Sequence, residues 1–221
     1  MPLRTQTHGA CAAALLIVGL AMGETRAAPS LSSEISMHAQ ATELAAPAHT
    51  RIRGALDTSL DVEFDYAPAR RIVEVRYTLR NNGDAPIAVF DRGDLHAIGN
   101  GRQIFGEVGV PRMETDGEDV TLIHAAFPLP DPAPTSPPTP MAIELAPGAS
   151  LDGAFAFALK GIVIPTRLRW CVSAMRMGDA YMDSPQATKA GHVWRASFAV
   201  VERQQRICTP WYDVARGAFV E

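Results

Sequence analysis

The stretch VEVRYTLRNNGDAPIAVFD, Val73 to Asp91, carries the clearest indication of the fold. Its first half alternates apolar and polar residues, which is the period of a β-strand with one buried face. The middle, NNGDAP, has the composition of a turn, in which we expect Gly83 to adopt a positive φ and Pro86 to stiffen the entry to the next strand. The stretch therefore predicts two successive strands joined by a turn.

The same alternation recurs before and after this stretch, and it predicts an all-β chain. Short alternating runs are separated by Gly, Pro and Asn, and no window has the spacing of a long amphipathic helix. Such a pattern is typical of two sheets packed face to face. We predict one domain, residues 51–221, with the fold of an immunoglobulin-like antiparallel β-sandwich of about 7–9 strands. The predicted strands are residues 59–66, 73–80, 86–91, 120–124, 141–145, 155–159, 168–174 and 194–200.

One face of each predicted strand supplies the core. Successive side chains of a strand point to opposite faces of the sheet, so the apolar set of each run shares one face. The predicted core residues are Leu60, Val62, Phe64, Val73, Val75, Tyr77, Leu79, Phe155, Phe157, Leu168, Trp170, Val172, Trp194 and Phe198.

The N-terminal residues have the pattern of an export signal. Arg4 precedes an uncharged apolar run, residues 12–22, which is long enough for a signal peptide and too short for a transmembrane helix. We expect cleavage after Ala27, which makes residues 1–27 the signal peptide. Residues 28–50 are rich in Ala and Ser and are predicted to be a flexible segment. The protein is therefore expected to be periplasmic or secreted, with no membrane span.

The charge of the mature chain argues against polyanionic partners. The whole chain has 20 Lys and Arg residues and 24 Asp and Glu residues, and removing the signal peptide leaves 18 and 23, a net charge of −5. Binding to nucleic acid or to an anionic membrane usually comes with a basic excess. We therefore expect no nucleic acid, and a partner that is a protein or another component of the cell envelope.

Two cysteines remain in the mature chain, and Cys171 and Cys208 are expected to form a disulfide in an oxidising compartment. The pleat of its predicted strand places Cys171 on the outside of the sheet. The bridge is then expected to hold the apolar C-terminal segment, residues 209–221, across the outer face of that sheet, covering Ala199 and Val201.

An alternative interpretation of the same region is a binding surface. Large apolar side chains left in water commonly mark a site for a partner. The candidate surface consists of Arg169, Arg195, Trp211 and Tyr212.

No local motif of catalysis is found in the sequence. There is no GxSxG, HExxH, CxxC or phosphate-binding glycine loop, and Ser150 in PGASLDG fits the entry to a strand. We therefore expect a non-enzymatic protein without a cofactor. Copper binding is an alternative, because Met175, Met177, Met182 and His192 offer soft ligands, although methionines are also ordinary core residues.

Three conspicuous features are expected to be structural. Arg92-Gly93-Asp94 matches a tripeptide that mediates adhesion elsewhere, but it ends a predicted strand and Gly93 fits the turn that follows. His124 continues the apolar face of its strand, so we expect a core histidine rather than a ligand. The proline-dense residues 128–138 are predicted to be a stiff, extended connection.

Two stretches of the chain resemble known domains. VEVRYTLRNNGDAPIAVFD (73–91) and LAPGASLDGAFAFAL (145–159) resemble elements of exported bacterial immunoglobulin-like domains. They are also similar to elements of the bacterial intracellular proteinase inhibitor family, whose domain is a β-sandwich. The resemblance implies a non-enzymatic sandwich, and the expected function is an exported binding or accessory protein of the cell envelope. The alternatives are a proteinase inhibitor, presenting residues 93–118 or 128–140 to a protease, and a periplasmic copper-binding protein.

Overall fold

The computed structural model describes residues 47–159, 161 and 164–220 of the chain. The predicted signal peptide and most of the predicted flexible segment lie outside these residues. Strand β1 (Ala48–Gly54) begins within that segment, so residues 48–50 belong to a strand, contrary to the prediction. No helix in the described part of the chain is long and apolar enough to cross a membrane.

The first sheet is formed by segments in which apolar and polar residues alternate. The predicted strands at 59–66 and 73–80 are found as β2 (Thr58–Ala67) and β3 (Ile72–Asn81), and the predicted strand at 155–159 belongs to β8 (Ser150–Ala158). With β1 they make a four-stranded antiparallel sheet in the order β1-β2-β3-β8. Strands β1 and β8 are therefore the two edges of this sheet.

Within the described residues, the second sheet contains ten strands. They are β4 (Ile87–Val89), β5 (Arg112–Asp116), β6 (Asp119–His124), β7 (Met141–Leu145), β9 (Arg167–Arg176), β10 (Met182–Thr188), β11 (Gly191–Ala196), β12 (Gln205–Cys208), β13 (Trp211–Asp213) and β14 (Ala218–Val220). The main order is β10-β11-β7-β4-β9-β13-β14, while β6 and β12 also pair with β9, and β5 pairs with β6.

This second sheet forks beside β9. One edge of β9 pairs with β6 along residues 167–172 and with β4 along residues 174–176. Because β4 continues to β7 while β6 continues to β5, the sheet divides between them. The β6–β9 pair is parallel, which corrects the expectation of antiparallel pairing throughout.

The fold is all-β, as predicted, with two sheets packed around a common core. The described residues form fourteen strands, more than the predicted 7–9. Ten of the predicted core residues are buried there: Leu60, Val62, Phe64, Val73, Val75, Tyr77, Leu79, Leu168, Trp170 and Val172. Phe155 and Phe157 are only partly buried, because β8 is an edge strand.

The predicted register of the strand at 194–200 is wrong. Val193 is the residue of β11 that enters the core, and Trp194 packs on a second apolar cluster with Phe90 and the buried methionines. The strand ends at Ala196, because the Ser197 hydroxyl accepts a hydrogen bond from the next turn, a 3-10 helix over Phe198–Glu202. Phe198 is therefore only half-buried.

Cys171 and Cys208 form the predicted disulfide, with their Cα atoms 4.0 Å apart. They lie directly opposite each other on β9 and β12. The predicted course of the C-terminal segment across the outer face is wrong, because β12 and β13 pair edge to edge with β9, and β14 adds to β13. Pairing at the edge satisfies main-chain N–H and C=O groups of β9 that packing on its face would leave unpaired. Ala199 consequently remains exposed.

Asn81 holds the turn that follows β3. Its buried amide donates to the carbonyl oxygens of Ala85 and Leu145 at 2.9 and 3.1 Å, and its side-chain oxygen accepts from the Gly83 N–H at 3.0 Å. Gly83 does not adopt the positive φ that we expected. The asparagine closes the turn by side-chain hydrogen bonds, so a left-handed glycine is not needed.

Candidate functional site

Two buried charged residues follow Phe90 in the chain that leaves β4. Asp91 is 0% exposed and Arg92 is 2% exposed. Gly93 has a φ of 65°, and Asp94 accepts a hydrogen bond from a backbone N–H of the short helix α1 (Leu95–Gly99) that it caps. Arg92-Gly93-Asp94 is thus built into the fold, as predicted, and its guanidinium is not presented to a receptor.

Asp91 is the centre of a buried polar cluster. The Tyr77 hydroxyl donates a hydrogen bond to Asp91 Oδ2, and Arg92 Nε lies 3.5 Å from Asp91 Oδ1. Burial raises the pKa of Tyr77 well above its usual range, and the charge of Asp91 and the hydrogen bond to it raise it further. Tyr77 therefore stays a neutral donor.

His124 extends this cluster toward the surface. Trp170 Nε1 donates to His124 Nδ1 at 3.0 Å, and His124 Nε2 lies 2.8 Å from the carbonyl oxygen of Gly109. Because an indole nitrogen can only donate, Nδ1 carries no proton and Nε2 is the donor to Gly109. Burial lowers the pKa of His124, against the opposing effect of the Gly109 carbonyl. The residue is a neutral core histidine, as predicted.

The fork of the second sheet opens into a groove of about 300 Å³ next to His124. We call it the fork groove. Its walls come from the ends of β4 and β6, the start of β5 and the connection between β6 and β7. The apolar residues that line it are Phe90, Val110, Pro111, Ile123, Ala125, Phe127, Pro128, Pro130, Pro138 and Pro140.

The rim of the fork groove is apolar, exposed and stiff. Val110 is 71% exposed and Leu129, between two lining prolines, is 38% exposed. The proline-dense connection forms no strand, and it is tied to α1 by a hydrogen bond of 3.0 Å between His96 Nδ1 and Ser136 Oγ. Because proline fixes φ, this segment loses little conformational entropy when a ligand binds.

Arg112 supplies a positive charge at this rim. Its guanidinium carbon lies 4.8 Å from the centre of the Phe127 ring. Within the described residues it makes no ion pair, so its N–H groups remain able to bind a carboxylate.

A wider depression of about 530 Å³ lies on the outer face of the first sheet. Its carboxylate Asp61 already lies 3.7 Å from His49 and 3.5 Å from Arg51. This surface is shallow, so the fork groove is the better candidate site.

The structure brings together only two residues of the predicted binding surface. The Arg169 guanidinium lies 4.3 Å from the centre of the Trp211 ring, and Arg169 Nε donates to Thr121 Oγ1 at 3.0 Å. The neighbouring Arg167 also stacks on Trp211, at 4.9 Å, and its hydrogen bond to Asp119 lowers the pKa of that carboxyl. Trp211 is thus engaged by two arginines of β9.

The other two residues of that predicted surface lie elsewhere. Tyr212 points into the core, with its ring 5.7 Å from that of Phe64, because adjacent residues of a strand face opposite ways. Arg195 lies on β11, where Nε donates to Asp183 at 2.8 Å, and β7 and β4 separate it from β9.

The candidate copper ligands are divided between two places. Met175 and Met182 are buried in the second apolar cluster, and Met177 packs against it. His192 is exposed and pairs with Ala187, further along the β10–β11 hairpin than Met182. In the part of the chain that the structure describes, no three His, Cys, Asp or Glu side chains are grouped to hold a metal ion.

Sequence reasoning missed the fork groove and the Tyr77–Asp91 pair. The groove is assembled from separate segments that meet only because β4 and β6 share one edge of β9. The adjacent charges Asp91 and Arg92 at the end of an apolar strand were the one local signal, since charged residues seldom end a buried strand without a partner.

No protein-family model matches this chain, and no curated protein or solved structure is significantly similar to it. The function is therefore inferred from the geometry of the site.

Proposed function

We propose that this protein is an exported, non-enzymatic binding protein of the cell envelope, and that the fork groove holds an extended apolar segment of a partner protein. The observation that carries the proposal is the groove itself, of about 300 Å³, with proline walls and Val110 71% exposed at its rim. Concave apolar sites with a few polar groups are the usual form of a binding site. Exposed apolar side chains around such a site favour a protein partner.

The polar residues of the fork groove support binding rather than catalysis. Among the described lining residues, Asp94, Arg112 and His124 are the titratable ones. Asp94 caps α1, His124 uses both ring nitrogens within the protein, and Arg112 stacks on Phe127. This arrangement offers no nucleophile paired with a base, which nucleophilic catalysis requires.

The same residues define the chemistry of the partner. An apolar side chain fits between Phe90, Ile123 and the prolines, and a carboxylate beside it can pair with Arg112. The expected partner segment is therefore extended, apolar and carries an acidic residue. The disulfide between Cys171 and Cys208 supports an oxidising compartment, either the periplasm or the medium.

A proteinase inhibitor remains the second candidate, and one observation favours it. Residues 128–136 are all exposed between β6 and β7, with Leu129 flanked by prolines. Residues 93–118 are a poorer candidate loop, because they contain α1 and β5. Inhibition of a protease from a broad panel, lost when Leu129 is changed to Ala, would support this function against the first.

Capture from an envelope fraction tests the first function. Immobilised wild-type protein is compared with Val110→Asp, which places a charge at the rim, and with Ile164→Asp, its control at a 75% exposed site outside the groove. We expect one envelope protein to be retained by wild type and Ile164→Asp and lost by Val110→Asp. Equal retention by all three proteins would show that the groove is not the binding site.

A further inference from the structure

Most edges of the two sheets are protected against pairing with another strand. Strand β1 carries Arg51 and Arg53 and contacts β14. Strand β10 contains Pro185 and a bulge, and β5 has five residues, of which several are charged. Charges, prolines, bulges and short length are the means by which proteins keep an edge strand from pairing.

Strand β8 has one exposed charge, Asp152, and lacks the other protections. Its nine residues, SLDGAFAFA, include no proline, no lysine and no arginine. Within the described residues it pairs with β3 alone. The side chains of Ser150, Asp152, Ala154, Ala156 and Ala158 are exposed on one face, while Phe155 and Phe157 are only partly buried on the other.

The main-chain groups of β8 that point outward can be identified from the ladder with β3. The Leu159 N–H donates to the Arg71 carbonyl at 2.8 Å, and the Asn81 N–H donates to the Ala149 carbonyl at 3.1 Å. In an antiparallel pair, hydrogen-bonded positions alternate along the strand, so the odd-numbered residues of β8 bond to β3. The N–H and C=O groups of Asp152, Ala154 and Ala156 therefore face away from the sheet.

We propose that β8 pairs with β8 of a second copy of this chain, antiparallel and with Ala154 opposite Ala154 on the two-fold axis. A two-fold interface requires a surface that complements itself. In this register Asp152 lies opposite Ala156, and Ser150 lies opposite Ala158, so no two like charges meet. The pairing joins the two four-stranded sheets into one.

Apolar contact favours this register. On the outer face, Glu74 and Arg76 of β3 lie opposite Ala156 and Ala154, and the two side chains form an ion pair at 3.7 Å. Asp152 of the second copy therefore lies one strand beyond this ion pair, beside charges of both signs. On the other face, Leu151 lies opposite Phe157 of the second copy, which covers a ring that the single chain leaves partly exposed.

In the proposed dimer, residue 154 lies opposite residue 154 of the second copy, and the test changes this residue. Wild type, Ala154→Lys and Ala154→Glu are each measured by sedimentation equilibrium, with Ala187→Lys as control, an exposed alanine of β10. We expect a doubled molar mass for wild type and the control, and a single-chain mass for each variant alone. Mixing Ala154→Lys with Ala154→Glu should restore the doubled mass, because opposite charges then meet on the axis.

Three results would overturn the proposal. A wild-type protein that stays monomeric at high concentration would exclude pairing of β8 with a second copy. If the main-chain amides of residues 152, 154 and 156 were protected from exchange in that monomer, a different segment would cover the edge. Variants that keep the doubled mass place the dimer interface elsewhere. A mixture that stays monomeric excludes the register with Ala154 on the axis. Because β8 and the fork groove share no residue, each outcome is independent of capture at the groove.

Discussion

The indole N–H of Trp170 donates to Nδ1 of His124 at 3.0 Å, and this contact fixes the imidazole in its Nε2–H form. A proton on Nδ1 would break the bond and would place a charge in the core. Burial accordingly lowers the pKa of His124 from its ordinary value of 6.5. The folded protein thus binds a proton at His124 less readily than the unfolded chain does.

The first prediction is a loss of stability in mild acid. The pKa of His124 is lower in the folded protein than in the unfolded chain. The contribution of neutral His124 to the free energy of unfolding is therefore fully present above pH 6.5 and is lost as the pH falls below that value. Urea unfolding across this range should show the free energy of unfolding decreasing. His124→Gln should remove that part of the decrease, whereas His192→Gln, at an exposed site, should keep it. Equal slopes in wild type and His124→Gln would contradict the prediction.

The second prediction concerns the Tyr77 hydroxyl. Tyr77→Phe leaves Asp91 Oδ2 buried without its donor, which should lower the free energy of unfolding by about 1–3 kcal/mol. Tyr181→Phe is the matched control, because Tyr181 is stacked by Arg203 and its hydroxyl has no such buried partner among the residues that the structure describes. Equal urea midpoints for the two variants would show that the Tyr77–Asp91 bond contributes little.

The third prediction concerns Gly153, which faces Tyr77 across β3 and β8. A Cβ at this position would lie 2.2 Å from the Tyr77 ring, so Gly153→Ala must displace the ring from Asp91. We expect a loss of about 1–3 kcal/mol, the usual cost of overpacking. Gly99→Ala, where a Cβ meets no atom within 4 Å, should be near neutral. A stable Gly153→Ala protein would mean that Tyr77 is not held where the structure places it.

The fourth prediction concerns the disulfide. Replacing Cys171 and Cys208 by alanine releases a bridge that spans 37 positions of sequence, and the chain-entropy model gives a loss of about 3–4 kcal/mol. Strand β12 should open first, because it is held to β9 at an edge. Hydrogen exchange at residues 205–208 should therefore rise more than exchange at 72–81 in β3. A uniform rise would show that the bridge stabilises the whole fold and not this edge.

The strands that sequence predicted well are those with one buried face. In β2 and β3 the apolar side chains enter the core and the polar ones face solvent, so alternation is visible in the sequence. Strand β11 is covered on one face by the core and on the other by the second apolar cluster. Its alternation therefore could not show which of its residues enter the core. After the buried Met182, strand β10 consists mainly of exposed residues around Pro185 and is held by its pairing with β11.

The candidate site was less predictable than the fold. The pleat alone implies that Trp211 and Tyr212 face opposite ways, so the sequence already argued against a binding surface that contains both residues. The fork groove could not be predicted, because it depends on β6 running parallel to β9 beside β4. Such long-range pairing leaves no local pattern, and neither the exposure of Val110 nor the stacking of Arg112 on Phe127 can be read from the sequence.

Site-specific photo-crosslinking in the envelope tests the central claim, that the fork groove holds a partner segment, most directly. A photoreactive residue replaces Val110 at the rim in one protein and Ile164, equally exposed and outside the groove, in another. The account predicts one crosslinked envelope protein from position 110 and none from position 164, with the crosslink in an extended apolar segment and reduced by Phe127→Ala. The same crosslinks from both positions, or none from position 110, would contradict it.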